Sequence, residues 1–102
     1  MVEIIWTKYV IEEIESIAEY IAKDSLRYAE IVVQRFFDSA ELLKTHPRTG
    51  RKIPEYNKEG YRQIIVGNYR VIYRIVSVDK IVIITVHHGA RKLDVKKIKA
   101  RK

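Results

Sequence analysis

The chain has 102 residues, which is enough for one domain with a single two-layer core. No apolar run reaches the length of a membrane span, and the start MVEIIW lacks the basic and then apolar layout of a secretory signal. The absence of cysteine excludes disulfide bonds, thiolate nucleophiles and thiolate metal sites. We therefore expect a soluble cytoplasmic protein, a single domain over residues 1–102, with no cofactor and no membrane partner.

The charge is distributed unevenly along a chain whose formal net charge is +7. Residues 1–45 hold five Lys or Arg and nine Asp or Glu, whereas residues 46–102 hold fifteen and four. Such a basic half raises the local concentration of anions, which favours nucleic acid or an acidic protein segment as a partner. A solvated lysine surface explains the same charges equally well, so charge alone leaves both interpretations open.

The first 45 residues predict a strand followed by two helices. Residues 2–6 form an apolar run that suits a strand, and Thr7 is placed to cap the helix after it. Apolar residues recur at helical spacing over residues 10–21, and Asp24-Ser25 then interrupts the pattern and supplies the next cap. A second apolar stripe covers residues 29–43. We expect a helical hairpin whose two stripes lie in the core.

A basic connector follows the hairpin. His46-Pro47 ends the second helix, because proline disfavours helical geometry in the residue before it. The connector is predicted to be irregular because of its turn-forming residues Gly50, Pro54, Asn57 and Gly60. Ion pairs can tether it, since two carboxylates, Glu55 and Glu59, are surrounded by the cations Arg51, Lys52, Lys58 and Arg62.

Residues 61–92 carry most of the strand signal. Three β-branched and aromatic runs are separated by Gly67-Asn68 and by residues 77–80, which is the pattern of an antiparallel meander. A two-residue first turn places one set of side chains on a common face: Arg62, Ile64, Val66, Tyr69, Val71 and Tyr73. The other face then holds Gln63, Ile65, Arg70, Ile72 and Arg74.

The predicted fold class is α+β. An N-terminal strand and a helical hairpin precede a three-stranded antiparallel meander, which completes a small sheet. From about residue 93 the chain becomes a lysine-rich tail, interrupted by Leu93, Val95 and Ile98 without a clear period. Either a frayed tail or a short helix fits this segment.

The arginines of the sheet are candidates for binding an anion. Arg62, Arg70 and Arg91 lie in or beside the predicted strands, and guanidinium groups on a rigid sheet can clamp a phosphate bidentately. The alternative is cross-strand pairing with carboxylates. His87 and His88 alternate across the sheet and cannot chelate one ion together, so no metal site is predicted; one packs in the core and the other is a candidate acid or base.

The order and spacing of several motifs resemble the RelE/ParE toxins of bacterial and archaeal toxin–antitoxin pairs. These motifs are EIIWT, IEEIESIAEYIAKDS, LLKTHPRTGRKIPE, YRQIIVGNYRVIYRI and IVIITVHHGAR. The resemblance implies a strand, a helical hairpin and a small antiparallel sheet. It also implies a cognate antitoxin whose flexible, often acidic segment wraps and silences the toxin, and the basic half suits such a segment.

The resemblance implies one of two activities. In the ribosome-dependent mRNA endonuclease branch, Arg70 and Arg91 match two catalytic arginines and Arg62 matches a lysine, with Glu55 and His88 as weaker candidates. That pattern is incomplete in this chain, because Ile64 stands where a second lysine is usual and no tyrosine follows Tyr73. The tyrosine position of that branch falls at or beside Lys97.

The connector and the HHGAR ending are more similar to the ParE branch, whose members block DNA gyrase. On this interpretation the protein is not an enzyme, and basic residues of the sheet and tail form the partner surface: Arg51, Lys52, Arg74, Lys92, Lys96 and Lys97. A third hypothesis is a small nucleic-acid-binding domain in which Tyr69 and Tyr73 stack on bases. Packing of these tyrosines against the helices is the simpler explanation.

Overall fold

The computed structural model describes residues 2–101, and its elements follow the predicted order. They are β1 (Glu3–Trp6), α1 (Lys8–Ala22), α2 (Leu26–Thr45), β2 (Arg51–Lys52), β3 (Tyr61–Val66), β4 (Tyr69–Ser77), β5 (Lys80–His88) and α3 (Val95–Arg101). The α+β prediction of a strand, a helical hairpin and an antiparallel meander is confirmed. Within residues 2–101, no helix is both long and apolar enough to cross a membrane.

The strands form one five-stranded sheet in the order β1-β5-β4-β3-β2. The meander has the predicted register, with Val66 opposite Tyr69 and Ile64 opposite Val71. Gly67 has a φ of 59° at the first central position of the two-residue turn, a conformation that glycine adopts without steric cost. β1 lies parallel to the first half of β5.

The connector departs from the irregular loop that its sequence predicts. Its residues Arg51 and Lys52 form β2, which pairs antiparallel with Gln63 and Arg62 of β3. A strand of two residues is too short to show an alternating pattern, so its pairing depends on the partner strand rather than on local sequence. The sheet therefore has an additional short edge strand.

α1 and α2 begin at the predicted caps and cover one face of the sheet, here called the helix face. The hydroxyl of Thr7 accepts a hydrogen bond from the backbone N–H of Val10 (3.3 Å), and the hydroxyl of Ser25 accepts one from Tyr28 (3.0 Å). Both apolar stripes are buried there against the sheet, with Val10 and Ile14 from α1 and Val32, Phe36 and Leu43 from α2. They share this core with Val71 and Tyr73, two of the meander residues that were predicted to lie on one face.

The opposite face of the sheet, here called the α3 face, has a smaller core of its own. Ile53 of the connector and Ile98 of α3 are both fully buried in it, and Leu93 is 4% exposed. These residues pack on the sheet side chains Tyr61, Ile72 and Ile84. The basic segment after residue 93 therefore contains a docked helix, the second of the two forms that its sequence allows.

Candidate functional site

Arg70 and Glu55 form a closed ion pair on the α3 face. The two terminal nitrogens of Arg70 donate to the two carboxylate oxygens of Glu55, each at 2.7 Å. The Nε–H of Arg70 donates to Oε1 of Gln63 at 2.6 Å. The Arg70 side chain is only 12% exposed, so this bidentate pair uses most of the guanidinium surface that a substrate phosphate would need.

The same contact fixes the charge of both partners. The hydrogen bond from Arg70 lowers the pKa of Glu55 from 4.5 to about 2, and it outweighs the opposing effect of burial. The pKa of Arg70 is raised, chiefly by the same hydrogen bond. An effective general acid or base has a pKa near the working pH, so Glu55 is poorly suited to proton transfer at neutral pH.

Arg62 lies on the helix face, away from Arg70. Its Nη1 donates to the backbone carbonyl of Gly50 at 2.8 Å, with a weaker contact to the carbonyl of Arg48 at 3.5 Å. Because Arg62 pairs across β3 and β4 with Tyr73, both side chains stand on the helix face. The structure therefore does not bring Arg62 and Arg70 together around one substrate atom.

Tyr73 holds the start of the connector from inside the core. Its hydroxyl accepts from the backbone N–H of Gly50 (3.0 Å) and donates to the carbonyl of Pro47 (2.9 Å). A Cβ added to Gly50 would lie 2.5 Å from this hydroxyl, so only glycine fits. Tyr73 is fully buried, so it is not available to stack on bases. Tyr69 packs edge-to-face against Phe36.

The two histidines occupy different faces at the end of β5. His87 is 8% exposed, and its Nε2–H donates to the carbonyl of Arg91 at 2.9 Å. His88 is half-buried against the ring of Tyr69, and its Nδ1 accepts from the N–H of Ala90 at 3.1 Å. Arg91 itself is exposed just after the strand. Across residues 2–101 no three His, Asp or Glu side chains are grouped as metal ligands.

Most of the predicted partner surface is open. Arg51, Lys52, Lys92 and Lys96 are exposed, and none of them forms an ion pair with another residue in the described range 2–101. Arg74 lies over the ring of Tyr61, with its guanidinium carbon 5.4 Å from the ring centroid. Lys97 differs from the others, because its ammonium lies 3.4 Å from the carboxylate of Glu13.

Glu13 is a residue that the sequence analysis did not single out. Its carboxylate accepts from the Thr85 hydroxyl (2.9 Å to each oxygen) and from the backbone N–H of Val86 (3.2 Å). It also ion-pairs with Arg101 at 2.9 Å and with Lys97. One signal was present, because Glu13 lies on the buried side of α1, three residues after Val10.

A groove of about 650 Å³ lies between α1, the end of β5 and α3. It is here called the C-terminal groove. Aromatic side chains line one part of it, and the charged groups of Glu13, Arg91, Lys97 and Arg101 line another. The groove lies at the edge of the sheet where β5 continues past the end of β1, so elements from both faces of the sheet border it.

Comparisons with known proteins identify a family by sequence and a shared fold by structure. The sequence-family model described as ParE toxin of type II toxin–antitoxin system, parDE, matches residues 4–93. A solved structure described as a chromosomal ParDE TA system from P. aeruginosa matches with a TM-score of 0.70 and 18% identity, covering 86% of this chain and 96% of that chain. At this identity, the structural match shows the shared fold alone. No curated protein sequence matches the chain significantly.

Proposed function

Because the chain belongs to the ParE toxin family of type II toxin–antitoxin systems, we propose that it arrests growth by binding and inhibiting DNA gyrase in the cytoplasm. On this proposal it acts by binding and does not cleave RNA. Family membership implies a cognate antitoxin, and an acidic antitoxin segment would neutralise the same basic surface that meets the target.

The observation that carries the proposal is the arrangement of the three candidate arginines. Cleavage of RNA without a metal requires cationic and proton-transferring groups that converge on one phosphate. Arg70 instead forms a bidentate ion pair with Glu55. Arg62 donates to the carbonyl of Gly50 on the opposite face. Of these three arginines, only Arg91 is exposed and without an ion pair within the described residues. This dispersion supports a binding surface over an active site.

Two further positions support the same proposal. Ile64, where the endonuclease branch has a lysine, packs against the helix-face core. Lys97, near the position of that branch's tyrosine, is held by Glu13. α3 and the residues just before it also cover part of the face on which Arg70 lies, because Ile98 of α3 and the preceding Leu93 pack onto it. α3 therefore occupies part of the surface that a single-stranded RNA would need in order to lie across the sheet.

The exposed cations fit a target that carries bound DNA. Arg51, Lys52, Lys92 and Lys96 are exposed in the half of the chain that has few carboxylates. A concentrated positive surface accelerates association with a polyanionic partner and makes it sensitive to salt. We propose that these residues, with Arg74, contact gyrase and its DNA so that a cleaved complex is trapped.

Two assays with the purified protein test the proposal. In a supercoiling reaction with gyrase and relaxed plasmid, we expect inhibition that increases with protein concentration and is reversed by the cognate antitoxin. In a translation reaction, we expect the mRNA to remain intact. Ribosome-bound mRNA cut at codon boundaries, with normal supercoiling, would contradict the proposal and would support the RelE-like endonuclease.

A further inference from the structure

α3 depends on its surroundings to stay helical. It has seven residues, and isolated helices shorter than about 12 residues are marginal in water. Four of its residues are cationic, Lys96, Lys97, Lys99 and Arg101, and they repel one another. Ile98 is its fully buried anchor on the sheet. The apolar contact of one side chain fixes where α3 sits, but it does not fix how the helix is turned about that point.

Glu13 supplies the contacts that define this orientation. Its carboxylate receives Arg101 at 2.9 Å and Lys97 at 3.4 Å, one turn apart on α3. Among residues 2–101 it is the one carboxylate in ion-pair distance of α3 side chains. The guanidinium of Arg101 also lies over the Tyr9 ring, 4.8 Å from its centroid. Both contacts connect α3 to α1.

The same carboxylate closes an open sheet edge. β1 pairs only with residues 80–83 of β5, so the later residues of β5 have no neighbouring strand on that side. Glu13 accepts the N–H of Val86, and Arg101 donates to the carbonyl of Ile84 at 3.4 Å. Side chains that occupy edge N–H and C=O groups also block the addition of another strand. Glu13 therefore joins α1, β5 and α3 at one point.

We infer that Glu13 is a positioning residue that latches α3 onto the sheet and turns its free lysines outward. Lys97 and Arg101 are used internally, which leaves Lys96 and Lys99 exposed for the target. This inference deepens the proposed function, because it assigns the orientation of part of the gyrase-binding surface to a glutamate outside that surface.

The variant Glu13→Gln tests the latch, because it keeps the shape and the hydrogen bond acceptor but removes the charge. Glu12→Gln is the matched control: it makes the same charge change one residue earlier, at a side chain that is 58% exposed and 4.0 Å from Lys8. We expect amide hydrogen exchange over residues 95–101 to become about tenfold faster in Glu13→Gln, the size expected for one charged hydrogen bond. Exchange in α2 and in Glu12→Gln should not change.

Gyrase inhibition provides the functional readout. We expect the half-inhibitory concentration of Glu13→Gln to rise on the order of tenfold, with no change for Glu12→Gln. If Glu13 acts through its contact with Arg101, the double variant Glu13→Gln with Arg101→Gln should inhibit gyrase no less strongly than the less inhibitory of the two single variants. Additive losses would mean that Glu13 does not act through Arg101 and would contradict the positioning role.

The two readouts separate the possible failures. Unchanged exchange over residues 95–101 in Glu13→Gln would overturn the latch. Faster exchange with unchanged gyrase inhibition would overturn the positioning role. A wild-type protein that does not inhibit gyrase would contradict the proposed function, and exchange would then still decide whether Glu13 latches α3.

Discussion

At the scale of single residues, the role open to each candidate site residue depends on whether its polar group already binds another group of the protein. Arg70 and Glu55 were both candidate site residues, and they pair with each other at 2.7 Å. The sequence shows that each is charged, but they lie fifteen positions apart along the chain, in the connector and in β4. Their pairing depends on how the connector folds back over the α3 face, which has no local sequence signal.

The Glu55 and Arg70 pair should make stability depend on pH in acid. The pKa of Glu55 falls from 4.5 to about 2 on folding, so the pair's stabilisation is complete above pH 4.5 and disappears as the pH falls toward 2. Because the Glu55 side chain is 38% exposed, we expect only about 1 kcal/mol from this pair. Urea unfolding at several pH values should show a shallower acid loss in Glu55→Gln. An identical slope in both proteins would contradict the assignment.

Tyr73→Phe should destabilise the protein without changing its charge. The substitution leaves the buried N–H of Gly50 and the carbonyl of Pro47 without the hydroxyl that each one contacts. We expect a loss of about 1–3 kcal/mol in the free energy of unfolding. Tyr20→Phe is the control, because Tyr20 is 72% exposed and should tolerate the change. Equal stability of the two variants would show that the Tyr73 hydroxyl does not hold the connector.

At the scale of elements, the sequence predicted the helix starts and the hairpin turn, because interactions between neighbouring residues determine them. Thr7 and Ser25 cap the helices, and Gly67 forms the hairpin turn, because each needs only neighbouring residues. β2 and α3 were not fixed by the sequence, since their positions depend on distant partners. α3 packs on the sheet through Ile98 and forms an ion pair with Glu13 of α1, and the segment after residue 93 has no periodic pattern that would predict either contact.

Ile98→Ala should detach α3 more than it disturbs the rest of the fold. Removing a fully buried isoleucine side chain costs about 2–5 kcal/mol when the site cannot collapse. We expect faster hydrogen exchange over residues 95–101 and new trypsin cleavage there, with α1 and α2 still protected. Val78→Ala is the control, because Val78 is 94% exposed. A uniform loss of protection would show that α3 and the helix-face core unfold together.

At the scale of the whole molecule, the acidic and basic halves of the sequence form different elements of the fold. The acidic first half forms the hairpin on the helix face, and the basic second half forms the connector, the meander and α3. The sequence showed this asymmetry directly. It did not show which cations are free, because Arg62, Arg70, Lys97 and Arg101 are used inside the protein.

The proposed function predicts that neutralising the exposed basic surface slows binding to gyrase that carries DNA. We expect the variant with Arg51, Lys52, Lys92 and Lys96 all changed to Gln to associate about tenfold more slowly at low salt. The matched control changes four exposed cations of the first half, Lys8, Lys23, Arg27 and Arg35, to Gln and has the same net charge. Equal association rates for the two variants would mean that net charge, and not this surface, attracts the protein to its target.

The most direct test of the account is the trapping of gyrase on cleaved DNA. Purified wild-type protein is incubated with gyrase, ATP and supercoiled plasmid, the reaction is stopped with detergent and protease, and linear plasmid is measured on a gel. We predict that linear plasmid accumulates as the protein concentration rises and that the antitoxin prevents it. Absence of linear plasmid, together with cleavage of ribosome-bound mRNA by the same preparation, would contradict the account.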